Sequence, residues 1–195
     1  MTRKLTYASY SDKLFERLDS HLRRLSQQIP ALNRNITLPS KPIPNNLADG
    51  YLKFQLNQQT TAVLSMKHTQ EAIIVPIESI TSMPNMPPCI LGLMNWRSRI
   101  IWVVDLPRML NLESLDYRLR QYNAIIIRVE SLVLGLVVQE IKGTTKFADD
   151  AIHSPIGQVA SSLVPYLCGC VVQQEEILLV LDAQAIVQSS ILRSD

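Results

Sequence analysis

The sequence predicts a mainly β protein made of two small barrels of about five strands each, with an amphipathic helix ahead of them and a short helix at the end. Three observations carry this expectation. Apolar and polar residues alternate with a period of two in many short segments after residue 50. Tight polar turns separate those segments, which is the pattern of a sandwich or barrel. Part of the chain is repeated, hairpin on hairpin. The 195 residues, 47% hydrophobic and 18% charged, have enough apolar content for one large domain or two small ones.

The first quarter differs in kind from the rest. Residues 1–50 hold 8 Lys/Arg and 4 Asp/Glu, whereas residues 51–195 hold 11 and 13. Residues 1–32 read as a helical extension, with one helix from Tyr10 to Ile29. Phe15, Leu18, Leu22, Leu25 and Ile29 recur at alternating steps of three and four, which makes one narrow apolar seam. Ser9 and Asp12 suit a capping pair at its start and Pro30 a stop. Such a helix can cover the body of its own chain, dock on another protein, or lie on a membrane surface. Asp12, Glu16 and Asp19 on its polar face weigh against the membrane. Residues 33–50, rich in Pro and Asn, read as a semi-extended linker to a domain spanning 51–195.

In Tyr51–Leu56, Leu52, Phe54 and Leu56 alternate with polar positions, which gives a half-buried strand. Asn57–Thr60 is a turn, and Thr61–Met66 returns as a strand. Lys67–Ala72 is expected as a short helical turn before a strand at Ile73–Ile77, with Pro76 marking an edge or a bulge. Ile90–Trp96 and Arg99–Val104 flank Arg97-Ser98 as a hairpin. Ala124–Val129 and Leu132–Ile141 flank Glu130-Ser131 as a second. Cys168–Gln173 and Ile177–Leu181 form a third.

The duplication is the most informative feature. Pro88, Gly92 and Asp105 have the same spacing as Pro165, Gly169 and Asp182, 77 residues later. Each Asp precedes a short helical stretch, Leu106–Leu110 and Ala183–Leu192, whose first free amides it can accept. Upstream, residues 51–66 match residues 122–137 more loosely. The chain thus divides into halves of about 51–115 and 120–192, able to exchange strands. A five-stranded barrel has a thin core, so each half is expected to lean on the other.

Residues able to do chemistry do not cluster. His21, His68 and His153 have no ligand at metal spacing, and no nucleophile or phosphate-loop motif occurs. Asp149-Asp150 lies in a loop without a basic or metal partner. Cys89, Cys168 and Cys170 read as buried apolar residues, the last two on one side of a strand. No enzyme activity, cofactor or metal is expected. A net charge of +2, with 6% aromatic residues, argues against nucleic acid. Apolar runs are too short for a membrane span, and no apolar core follows the basic start, so cytoplasm is the expected compartment.

One turn stands out. Asn95-Trp96-Arg97-Ser98-Arg99 sets two Arg and a Trp at one hairpin tip, the composition of an interface hot spot. The plainer alternative is a solvated turn with Trp96 in the core and the arginines free.

At this hairpin a resemblance becomes visible. Pro84–Leu110, PNMPPCILGLMNWRSRIIWVVDLPRML, resembles the signature of CheW-like chemotaxis coupling proteins: two prolines, a Gly, an N-x-R-G turn and an apolar strand ending in Asp-Leu. The resemblance extends over Tyr51 to about Leu192, with Thr69-Gln70-Glu71-Ala72 and the closing ILLVLD, and leaves the first 50 residues uncovered. It implies two intertwined five-stranded SH3-like barrels. It also implies a non-catalytic adaptor that joins a chemoreceptor's cytoplasmic tip to a CheA-type histidine kinase, in the cytoplasm at receptor arrays. Arg97 matches the family's motif Arg, implicated in receptor coupling. Asn95 and Gly92 match its Asn and Gly, and Glu71 matches an acidic position on the receptor-facing side. Gln70, Trp96 and Arg99 complete the expected partner-binding set. Ser98 replaces the usual Gly and implies a slightly different turn, and Trp96 replaces an aliphatic residue. The Trp-Arg-Ser variant and basic extension resemble the pilus-linked, phototaxis-type systems of cyanobacteria. An adaptor for a non-receptor partner, docked through the N-terminal helix, is the alternative.

Overall fold

The computed structural model describes residues 50–112, 119–154, 159–173 and 175–192. The helix expected at Tyr10–Ile29 and the linker up to residue 49 lie outside the described residues. The first half holds β1 (Tyr51–Gln55), β2 (Thr61–Ser65), β3 (Thr69–Pro76), β4 (Ile90–Trp96), β5 (Arg99–Asp105) and α1 (Leu106–Met109). The second holds β6 (Gln121–Val129), β7 (Leu132–Val138), β8 (Glu140–Thr145), β9 (Leu167–Gln173), β10 (Glu176–Leu181) and α2 (Ala183–Val187).

Each half gives its first hairpin to the other. The strand orders are β8-β1-β2-β10-β9 and β3-β6-β7-β5-β4, so β1–β2 sits between strands of the second half and β6–β7 between strands of the first. The two orders are one order under exchange of halves, down to the single parallel contact in each, β2 with β10 and β7 with β5. Leu64, Leu136, Ile125 and Phe54, fully buried, come from the exchanged hairpins and belong to one apolar cluster that also holds Val104 and Leu181. Each such side chain contributes about 1.5–3 kcal/mol by leaving water, and here that gain depends on both halves being present.

The repeated glycines sit where each sheet rolls up. Thr81, just after β3, exchanges two backbone hydrogen bonds with Leu93 on β4 at 2.8 Å each. His153, after β8, exchanges two with Cys170 on β9, at 2.9 and 2.8 Å. A Cβ on Gly92 would lie 2.2 Å from the Thr81 carbonyl oxygen, and one on Gly169 would lie 2.5 Å from that of His153. Gly92 also has φ +144°, a conformation open to glycine but strained for other residues. The repeated aspartates are helix caps: Asp105 accepts from the Arg108 amide at 3.0 Å, and Asp182 from those of Gln184 and Ala185 at 2.8 and 3.2 Å.

Several expectations are corrected. Lys67–Ala72 is not helical: a turn over Met66–His68 leads into β3, which starts at Thr69. Leu132–Ile141 is two strands, because the polar β8, never fully buried, gives no apolar signal of its own. The last helix stops at Val187, and a separate turn of 3-10 helix follows at Ser190–Leu192. Cys168 is exposed while Cys89 and Cys170 are buried. Cys168 is the extra residue of a bulge, since Val180 pairs with Gly169 and Leu181 with Leu167. The looser upstream match also moves. Trp102 and Leu179, 77 apart, pair with Leu134 and Ala62, which face Ile127 and Phe54, so Phe54 corresponds to Ile127.

Candidate functional site

The tip of the β4–β5 hairpin is a two-residue turn, because Trp96 and Arg99 are the last pair of the ladder. Both turn residues have positive φ, Arg97 at 48° and Ser98 at 62°. That conformation suits the twist of two paired strands and is normally filled by Asn-Gly. Ser98, which stands where the resemblance expects Gly, takes up the left-handed conformation that glycine permits. It does so at a cost of about 1 kcal/mol.

Strand alternation then sorts the side chains. Trp96 points inward and is buried with Met94, Ile101 and Val103. Asn95, Arg97, Ser98 and Arg99 are exposed. Facing this tip, β3 carries a bulge: Thr69 pairs with Ile127 and Glu71 with Ile126, which leaves Gln70 unpaired and exposed. Glu71, next to it, is only 4% exposed.

These elements meet on one atom. The Trp96 indole N–H donates to Glu71 Oε2 at 2.8 Å. Arg97 Nη2 lies 3.2 Å from the same oxygen. The Arg97 guanidinium carbon is 5.0 Å from the Trp96 ring centroid, stacked on it. A buried carboxylate is costly unless paired and hydrogen-bonded, and here the indole and the guanidinium do both. The ion pair is asymmetric: the Arg97 side chain is 65% exposed and that of Glu71 6%. Cation–π stacking at an exposed site adds about 0.5–1 kcal/mol. The result is a cation fixed in place by a buried anion and presented to solvent.

The plainer reading of the turn thus holds in part. Trp96 is in the core, but Arg97 is anchored rather than free. Glu71 is buried under the two residues it holds. Gly92 is buried beneath the Thr81 carbonyl and shapes the hairpin base rather than its surface. Arg97, Arg99, Asn95 and Gln70 are the exposed members of the expected set. Sequence reasoning misses the Trp96–Glu71 bond. Its signal in the chain is a lone carboxylate on an otherwise uncharged strand and a Trp beside the motif Arg.

Among the described residues, no group of three His, Cys, Asp or Glu is placed to hold a metal ion. None of their helices is long and apolar enough to cross a membrane. Asp149, from the paired carboxylates, accepts from the Tyr51 hydroxyl at 3.4 Å, and the Tyr51 ring stacks on Phe147 at 4.2 Å. Burial, and then the Asp149 charge, push the Tyr51 phenol above its ordinary value, so it stays a neutral donor. Gly50, Ser65, Lys67 and Ala148 complete this depression.

The fold has counterparts among known proteins. The family model described as the CheW-like domain matches residues 50–190. The chemotaxis protein CheW of Treponema pallidum is 26% identical over 165 residues, covering 80% of this chain and 94% of that protein. The probable chemotaxis protein CheW of Rhizobium etli is 25% identical over 122 residues, covering 58% and 77%. The fold is similar to that of the scaffolding protein TtCheW from Thermoanaerobacter tengcongensis, with a TM-score of 0.61, 20% identity, and coverage of 69% of this chain and 89% of that one.

Proposed function

The chain belongs to the CheW-like domain family, and on that premise we propose that it is a non-catalytic scaffold coupling a chemoreceptor's cytoplasmic tip to a CheA-type histidine kinase. The observation that carries this reading is Arg97, exposed at a hairpin tip and anchored from beneath by Glu71 and Trp96. An exposed arginine at a hairpin tip offers a planar fork to carboxylates and carbonyls at low desolvation cost. In this reading Arg97 and its exposed neighbours Asn95, Gln70 and Arg99 face the receptor, and the ends of the strand-exchanged sheets face the kinase. The scaffold acts by geometry, so its signal is a coupling free energy between partners, typically about 1–3 kcal/mol.

The test is reconstitution of this chain with a receptor-tip fragment and a CheA-type kinase. The expected result is a ternary complex in which the receptor fragment changes kinase autophosphorylation only when the chain is present. Binding to neither partner overturns the reading. We further propose a pilus-based, phototaxis-type output, supported by the Trp-Arg-Ser turn. A deletion strain is then expected to lose directed surface movement. Loss of swimming alone overturns that assignment.

A further inference from the structure

We propose that Trp96 makes the Arg97 anchor releasable: its indole keeps the buried Glu71 carboxylate hydrogen-bonded while Arg97 swings out to a carboxylate on the partner. The inference rests on the receptor-facing reading of Arg97 and adds both a positioning residue and the chemistry of the group recognised.

Two donors share one acceptor. The Trp96 N–H, at 2.8 Å, is the shorter contact to Glu71 Oε2, and Arg97 Nη2, at 3.2 Å, is the longer. An Arg–Glu pair alone, with the carboxylate at 6% exposure, would strand a buried charge whenever the arginine left. The guanidinium would then be locked in. The indole changes this balance. It is buried at 7% exposure in a β4 position that cannot follow a partner, so its hydrogen bond stays when Arg97 moves. The same ring also lies under the guanidinium, whose central carbon is 5.0 Å from its centroid. Arg97 is 65% exposed, and among the described residues its ion pair is with Glu71 alone. The ligand for a released guanidinium is another carboxylate, presented singly at the surface of an incoming helix or loop.

Opposite substitutions separate this role from a structural one. Trp96→Phe keeps an aromatic ring and removes the N–H, so Arg97 becomes the carboxylate's main donor and is held more tightly. Glu71→Gln removes the charge that holds Arg97 while leaving an oxygen for the indole. In the free protein, NMR relaxation of the Arg97 side chain is expected to show it more ordered in W96F and more mobile in E71Q. Affinity for a purified receptor-tip fragment is expected to fall about tenfold in W96F, the size of one charge-assisted hydrogen bond, and to hold or rise in E71Q. In the E71Q background, W96F should have no further effect. Unchanged Arg97 order in W96F overturns the proposal whether or not the fragment binds, and so does parallel weakening by both variants. If the expected ordering appears but Arg97→Ala leaves the fragment's affinity unchanged, the receptor-facing reading falls and only the internal latch stands.

Discussion

The β4–β5 and β9–β10 hairpins are built on the same frame and end in opposite chemistry. Both have a bulge at the base, at Leu91 and Cys168, a glycine under a backbone carbonyl, and an aspartate cap just beyond. Both face an edge strand that carries its own bulge, Gln70 on β3 and Lys142 on β8. At the tips the likeness stops. Where one half has Glu71 the other has Gly143, where a Cβ would meet nothing within 4 Å. Trp96 is replaced by Gln173, which accepts from the Thr145 hydroxyl at 3.0 Å. Arg99 is replaced by Glu176, bound to Lys53 at 2.6 Å. Among its described residues the second tip therefore lacks the buried anion and the aromatic platform, and the sequence has Gln174 where the first has Arg97. What closes and caps the sheets is thus common to both halves, and the difference is confined to the tips.

The most severe way to break the comparison is at the shared frame. Gly92→Ala and Gly169→Ala should each cost about 3 kcal/mol or more, since a Cβ meets backbone that cannot give way. Chemical denaturation measures this, and a small effect at either site would mean that its closing bridge is dispensable. A difference confined to the tips comes next. Arg97→Ala should lower stability by only about 1 kcal/mol, because Trp96 still holds Glu71, yet weaken receptor-fragment binding by about 2 kcal/mol. Glu176→Ala at the second tip should leave that binding unchanged. Calorimetric titration of the two variants decides whether the tips are functionally distinct.

A smaller effect sharpens the turn itself. Ser98→Gly should raise stability by up to about 1 kcal/mol, because the residue already has φ +62°. The denaturation midpoint checks it, and a fall would mean that the serine side chain supports the turn. The smallest effect is in pH dependence. The hydrogen bond from Lys53 holds the Glu176 carboxyl below its ordinary value, so the unfolded chain binds this proton more readily than the folded one. The pair's contribution is complete above the ordinary carboxylate range and fades as the pH falls through the lowered folded value. Glu176→Gln should flatten that part of the acid-stability curve, and an unchanged curve would show the pair to be silent.

Much of the frame is legible in the chain. Period-two alternation locates most of the strands, and the repeated Pro-Gly-Asp spacing marks hairpins and caps, because each is a local demand of backbone geometry. β8 stays hidden because Ile141 is its one large apolar residue, so its alternating half-buried positions leave no apolar period to read. The candidate site is legible as a set of residues and not as an arrangement. The sequence singles out Arg97 and Trp96, and the resemblance adds Glu71 on the receptor-facing side; neither tells that Glu71 is buried.

What the sequence determined by itself is therefore whatever depends on neighbours along the chain: strand period, turn residues, caps and the repeat. Only the tertiary structure decided which hairpin inserts between which strands, which cysteine the bulge turns outward, and that three side chains meet at one carboxylate oxygen. The physical reason is that these outcomes depend on contacts between segments far apart in sequence. Trp96 and Glu71 are 25 residues apart, and no local preference of either residue specifies the other.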